Sequence, residues 1–259
     1  MRHALTFEPG KDHSQNTLLH IAQLTFAHFG LAHPPDCIII LESEIPMGSG
    51  LGSGAAVSTA IARALALFLD RPLTVEALNT LVYETEKVHH GTPSGIDNTV
   101  IVYEQPVFFL RAQPIERLRI ARPFTLLVGD SGHSTPTKIT VGDVRRLLET
   151  ALERTSPLIH RIGEIVRAAR QSIEQGTLAE LGTLMNENHE LLQKLTVSSP
   201  ALDILCEAAL EAGALGAKAS GGGRGGNMLA LVEAARAAHV QHALKAAGAT
   251  QVIQTTVKP

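Results

Sequence analysis

The chain has 259 residues, a net charge of -3 and 44% hydrophobic residues, enough to bury a core in one large or two smaller domains. With only 18% charged residues and a slight negative balance, it lacks a general attraction to nucleic acid or anionic membrane, which leaves a small molecule as the expected partner. Cys37 and Cys206 stand far apart with no CxxC, so neither a disulfide framework nor a zinc site is expected, and a reducing compartment, the cytoplasm, follows.

No apolar run approaches the roughly 18 residues that span a bilayer, and MRHALTFEPGKDHSQN holds no signal core. In chain order, Leu18, Ile21, Ala22, Leu24 and Phe29 recur at near-helical spacing over residues 16–29, and Asp36 to Leu41 reads as a short apolar strand. After a glycine-rich stretch, AAVSTAIARALALFLD predicts a largely buried helix. Thr74 is a cap for a third helix, VEALNTLVYETEKVHH, which GTPSG ends. Strands are expected at Thr99 to Tyr103, Val107 to Leu110 and Phe124 to Val128, then helices at about 137–153, 157–174, 177–194 and 200–212. The apolar NMLALV, a helix over Ala234 to Ala246 and a strand over Gln251 to Val257 close the chain. A boundary near Arg122-Pro123 divides it into 1–122 and 123–259. His239 and His242 share a helical face that reads as solvated surface and not as a metal site.

Three constellations carry chemistry. Pro46 to Ala56, PMGSGLGSGAA, sets four glycines and two serines between a strand and a long helix. Glycines let backbone N–H groups approach an anion, and a helix N-terminus adds unpaired donors and a positive dipole end. Phosphate is the natural ligand; a flexible strand-to-helix turn is the alternative. No Gly-Lys-Ser/Thr closes the loop, so it is not a Walker loop. In Glu86 to Asn98, EKVHHGTPSGIDN, two carboxylates flank a tight turn. Asp97 can accept a proton from an attacking hydroxyl and Glu86 can hold a divalent cation, although an acid after a turn is more often a cap. In Lys218 to Asn227, KASGGGRGGN, five glycines in six positions exceed what a turn needs and suit backbone lying close to a ligand or to the first loop. Arg224 within it either contacts a phosphate or is solvated.

In this order and spacing, the three elements resemble the signature motifs of the GHMP kinases. The string HGTPSGIDN resembles the form found in the mevalonate kinases of that family, and the likeness continues through GDSGHSTPTK and NENHELLQKLTVSSPALDIL. The resemblance implies an α+β fold of two lobes with the active site in the cleft between them. It implies phosphoryl transfer from ATP with Mg2+ to the primary hydroxyl of mevalonate. Carried onto matching positions, Asp97 is the catalytic carboxylate and Glu86 the magnesium ligand. Gly48, Ser49, Gly50, Leu51, Gly52, Ser53 and Gly54 form the phosphate loop. Gly221, Gly222 and Gly223 belong to a second ATP-binding loop that runs to Gly226, and Thr137 is a substrate-side hydroxyl.

Three departures from the pattern are visible. Gly54 stands where the family has a magnesium-binding serine, and the last loop carries Arg224 among its glycines. The family opens with a strand and a PGKxxLxGEH motif bearing a lysine, and the chain is expected to start after it, Pro9 to Lys11 being a look-alike with no GEH following. An exposed sheet edge is expected, with aggregation or homodimer formation through it as the symptom. Beside the mevalonate kinase reading stand a truncated, weakly active nucleotide-binding relative and a kinase for another small alcohol.

Overall fold

The computed structural model describes residues 2–5, 16–31, 35, 37–43, 45, 50–90, 93–111 and 113–259. The chain divides into two compact units, one formed by Met1–Met47 and Leu51–Arg117, the other by Gly48–Gly50 and Leu118–Pro259. The covalent chain therefore passes between the units within the first glycine loop.

In the first unit, β1 (Arg2–Leu5) pairs antiparallel with β2 (Ile39–Glu42), Arg2 opposite Glu42 and Leu5 opposite Ile39. The strand β1 had no counterpart in the sequence reading, and β2 begins three residues later than expected, with Asp36 outside the described residues. Helix α1 (Thr17–His28) starts at Asn16, whose side-chain carbonyl accepts from the N–H groups of Leu18 and Leu19 at 3.1 and 3.3 Å. Helix α3 (Val75–His90) is capped by Thr74 as expected, Ala77 N–H donating to its hydroxyl at 3.2 Å. Helix α2 (Ser53–Phe68) is one-sided, a correction to the largely buried helix expected. Ala55, Ile61, Ala62 and Leu65 face the core, while Leu67 and Phe68 are exposed. Ile21 and Phe26 of α1 meet Ile61 and Leu65 of α2 and Leu78 and Val82 of α3, the α2 and α3 pairs each set at one-turn spacing.

The strand expected over Thr99 to Tyr103 is instead α4 (Ile96–Tyr103). Its run of Thr, Val, Ile and Val favours a strand locally, but tertiary partners override that preference. Gly95 caps it in the left-handed conformation, Thr99 donates its hydroxyl to Gly95 O at 2.6 Å, and Asn98, Thr99 and Val102 turn inward. The strand expected over Val107 to Leu110 shortens to β3 (Val107–Phe108), paired with β4 (Glu116–Arg117).

The second unit is built on an antiparallel sheet in the order β6-β7-β5-β8. Its strands are β5 (Phe124–Asp130), β6 (Gly216–Ser220), β7 (Asn227–Val232) and β8 (Gln251–Val257). Along β7, Met228, Ala230 and Val232 enter one cluster with Leu127, Leu202, Leu205, Val240 and Leu244. Leu229 and Leu231 turn to the other, with Phe124, Leu181 and Met185. Both faces of β7 are thus covered, which is why its sequence is continuously apolar instead of alternating. The helices are α5 (Thr137–Thr150), α6 (Leu152–Gln175), α7 (Leu178–Lys194), α8 (Pro200–Glu211) and α9 (Ala237–Ala246), the last preceded by a 3-10 turn at Ala234–Arg236.

Helix α6 starts five residues before the expected position and keeps Pro157 inside, with the Thr155 hydroxyl donating to Ala151 O at 2.9 Å in its first turn. His239 and His242 are exposed on α9, in line with a solvated face. Among the described residues no helix is long and apolar enough to cross a membrane, and no cluster of His, Cys, Asp and Glu could hold a metal ion.

Candidate active site

The head of α2 collects the first group of expected residues. Gly52 caps the helix in the left-handed conformation, φ +69, and Ser53 is its first residue. Gly48 and Ser49 lie outside the described residues. A Cβ on Gly52 would stand 3.8 Å from the Cβ of Asp97, which projects from the first turn of α4. A Cβ on Gly54 would stand 2.9 Å from Glu86 Oε1. Two acidic residues thus stand by one helix N-terminus, from α4 and from α3, and Gly54 leaves room for the Glu86 carboxylate.

Their settings differ. Asp97 is exposed, whereas Glu86 is buried at 4%. The position of Asp97 is secured by its neighbour, because buried Asn98 donates its side-chain N–H to Asn79 Oδ1 on α3 at 2.7 Å. The first turn of α2 offers unpaired backbone N–H groups at the positive end of the helix dipole, a site for anions.

The second unit gathers the other residues. Gly50 lies against Gly221, its added Cβ 3.7 Å from Gly221 Cα. Gly50, Ser134, Thr135, Thr137, Ser220, Gly222, Gly223, Gly225 and Gly226 line a cavity of about 40 Å³, in which hydroxyls and glycine backbone predominate. Thr137 is the first residue of α5, and a Cβ on Gly222 would overlap its Oγ1. Gly225 N–Cα–C lies so near His133 that its Cβ would come within 2.6 Å of His133 O, and Gly226 N–H donates to that carbonyl at 2.6 Å. Ser134, Thr135 and Ser220 were not singled out from the sequence; the hydroxyl-rich run Ser131 to Thr137 was the available signal.

Arg224 is half-buried, and its guanidinium is engaged by protein groups. Its Nε donates to Thr196 O at 2.8 Å, Nη2 to Thr196 Oγ1 at 3.2 Å, and Nη1 pairs with Asp143 of α5.

Behind β6, Ala219 N–H donates to His189 Nδ1 at 3.2 Å, which requires that nitrogen to be unprotonated, while Nε2 stands 3.1 Å from Asp203 Oδ1. Burial lowers the His189 pKa from its ordinary value against the opposing pull of Asp203. Burial also lowers Lys218, whose ammonium donates to Ala219 O at 2.7 Å, and pushes the Cys206 thiol up to about 12. Cys206 is thus an inert core thiol, and like Cys37 it is free.

Residues 16–105 match the GHMP kinases N terminal domain and residues 165–250 the GHMP kinases C terminal domain. The chain is 37% identical over 220 residues to the mevalonate kinase of Pyrococcus abyssi, and 36% identical over 220 residues to that of Thermococcus sibiricus. Each alignment covers 83% of this chain and 65% of the relative, so the chain spans about two thirds of the length of these curated relatives. A solved structure, L. major mevalonate kinase in complex with R-mevalonate, superposes with a TM-score of 0.84 at 30% identity, covering 95% of this chain and 78% of that one. The motifs around Gly52, Asp97 and Gly222, the two matching domains and this likeness of sequence and fold place the chain in the GHMP kinase family.

Proposed function

We propose that the protein is a cytoplasmic kinase that transfers the γ-phosphoryl group of ATP to the primary hydroxyl of mevalonate, forming 5-phosphomevalonate for isoprenoid synthesis. The observation that carries this reading is the approach of Asp97, through its Cβ, to Gly52 at the head of α2, where unpaired helix N–H groups suit an anion. The names of the relatives, and the R-mevalonate in the solved neighbour, support mevalonate as the acceptor.

Phosphoryl transfer asks little covalent chemistry of a protein; it asks for positioning and for charge placed where charge develops. Asp97 orients the acceptor hydroxyl and takes its proton as the oxygen attacks phosphorus. Backbone N–H groups at Gly52 to Gly54 hold phosphate oxygens, and the glycines keep side chains out of their way. The hydroxyl of Thr137, fixed by the first turn of α5, holds the acceptor.

Magnesium fits this donor set, because a carboxylate oxygen is the ligand a hard cation takes. Glu86 would hold the ion, and Gly54 contributes open space where a serine would contribute oxygen. Held by Glu86, magnesium would supply positive charge to offset the negative charge of the phosphates.

The test is ADP release from ATP in the presence of R-mevalonate, phosphomevalonate or galactose. Saturable turnover with mevalonate is expected. Turnover confined to another alcohol would overturn the substrate and leave the phosphotransferase, and ATP hydrolysis indifferent to any alcohol would overturn both.

A further inference from the structure

Arg224 sits among five glycines with a left-handed backbone, φ +56, a conformation that glycine adopts freely and other residues at a cost. What the residue contributes therefore lies in what its side chain reaches. Three of its N–H groups are engaged by protein: Nε by Thr196 O, Nη2 by Thr196 Oγ1 and Nη1 by Asp143. Thr196 is itself left-handed, φ +58, in the turn between α7 and α8, and Asp143 lies on α5 with its other oxygen 2.9 Å from Arg146 Nη2. The backbone of Arg224 adds two ties. Its N–H donates to Val197 O at 2.7 Å, and its carbonyl accepts from the Thr135 hydroxyl at 3.0 Å.

One residue thus joins the last glycine loop, Gly221 to Gly226 in the third of the three constellations and called the third loop below, to the α7–α8 turn, to the segment before Thr137, and to the helix that Thr137 begins. The guanidinium is suited to this because its donors form a rigid planar fork that a lysine cannot reproduce. Its Nη1 pairs with Asp143, a carboxylate shared with Arg146, so protein partners set the orientation of the guanidinium.

We propose that Arg224 is a positioning residue, which fixes the third glycine loop against α5 and so sets the affinity of the glycine-lined cavity for the phosphoryl donor without touching it. The proposal rests on the kinase reading above. It differs from a direct phosphate contact in what Asp143 does: a clamp needs Asp143, a phosphate ligand does not.

The experiment compares wild type with Arg224→Gly, Arg224→Lys, Asp143→Asn and the double variant Arg224→Gly/Asp143→Asn. Glycine keeps the positive φ, so the fold is retained while the clamp is lost. Expected for Arg224→Gly is a KM for ATP raised roughly tenfold with kcat within about threefold, the pattern of lost uniform binding. Asp143→Asn should reproduce part of that rise, Arg224→Lys should rescue little, and the double variant should be no worse than Arg224→Gly, because the two residues act through one contact. Amide hydrogen exchange over residues 220–226 should quicken in Arg224→Gly without any nucleotide present.

An unchanged KM for ATP with a lowered thermal midpoint would reduce Arg224 to a structural role and overturn the proposal. So would a fall in kcat that Asp143→Asn does not share, since that is the mark of a direct phosphate contact. If wild type shows no turnover with ATP and mevalonate, the functional reading fails, and the exchange measurement still decides whether Arg224 holds the loop.

Discussion

The two described glycine loops look alike in composition and use their glycines in opposite ways. At Gly54 the missing side chain leaves space for a charged group, the Glu86 carboxylate, whose Oε1 a Cβ would meet at 2.9 Å, while Gly52 lies against Ile101 and the Cβ of Asp97. At Gly222, Gly223 and Gly225 the missing side chains let the chain lie against itself, against Thr137, Val197 and His133. The described part of the first loop leaves room for a carboxylate at Gly54, whereas the last loop packs closely on protein at three of its glycines. A glycine therefore signals close approach, and what approaches has to be read from the fold.

The largest effect that tests this contrast is at Asp97. Asp97→Asn keeps the volume and removes the base, so kcat with mevalonate should fall by roughly 10²- to 10⁴-fold while ATP binding and the thermal midpoint stay near wild type. An equal loss of ATP affinity, measured by calorimetry, would move Asp97 from the acceptor to the nucleotide.

The next effect separates the loops directly. Gly222→Ala forces a methyl into Thr137 and should cost about 1 to 3 kcal/mol of stability, the usual size of overpacking, seen as a lower midpoint in urea. Gly54→Ala lies within α2, where alanine gains about 1 kcal/mol of helix propensity over glycine, so stability should hold or rise. Its methyl displaces the Glu86 carboxylate instead, and the magnesium concentration for half-maximal rate should increase. If both substitutions lower stability alike, the contrast between the loops is wrong.

Glu86→Gln sharpens the same point. It should raise the magnesium requirement roughly tenfold or more, given that even residues supporting a metal ligand cost about 10- to 100-fold when lost. A superimposable magnesium titration would place the ion elsewhere.

The smallest effect concerns the support behind the third loop. His189 is held neutral, with its pKa in the fold below the ordinary 6.5. Above that value neither state binds the proton and stability is full. As the pH falls below it, the unfolded chain takes up a proton that the fold refuses, so stability declines until the lowered folded pKa is passed. Asp203, Lys218 and Glu190 are the charged groups acting on this histidine. His189→Gln should flatten the slope of thermal midpoint against pH between about 6.5 and 5, the span below an ordinary histidine pKa. An unchanged slope would assign it to other groups.

The mixed helix-and-sheet class, the order of most elements and the identity of the chemical motifs were legible in the sequence. These rest on local signals: apolar spacing at 3.6 or 2 residues, a capping Thr74, and glycine clusters at helix starts. What could not be read locally depended on distant partners. The run TVIVY has the composition of a strand, yet α4 is a helix because Asn98 bonds Asn79, 19 residues back, and Val102 packs into the core. The run GAKAS has no apolar alternation, yet β6 is a strand because β7 supplies its ladder and its small residues admit α7, with Gly216 only 2.5 Å, at its absent Cβ, from Gly182 Cα. Arg224 could be weighed in sequence only as a cation among glycines, and its partner Asp143 lies 81 residues away. By itself the sequence determined which residue types stand ready at helix ends and turns, because capping and periodicity act within a turn or two. Only the tertiary structure decided which glycines face a carboxylate and which face backbone, because that choice belongs to chains brought together by burial.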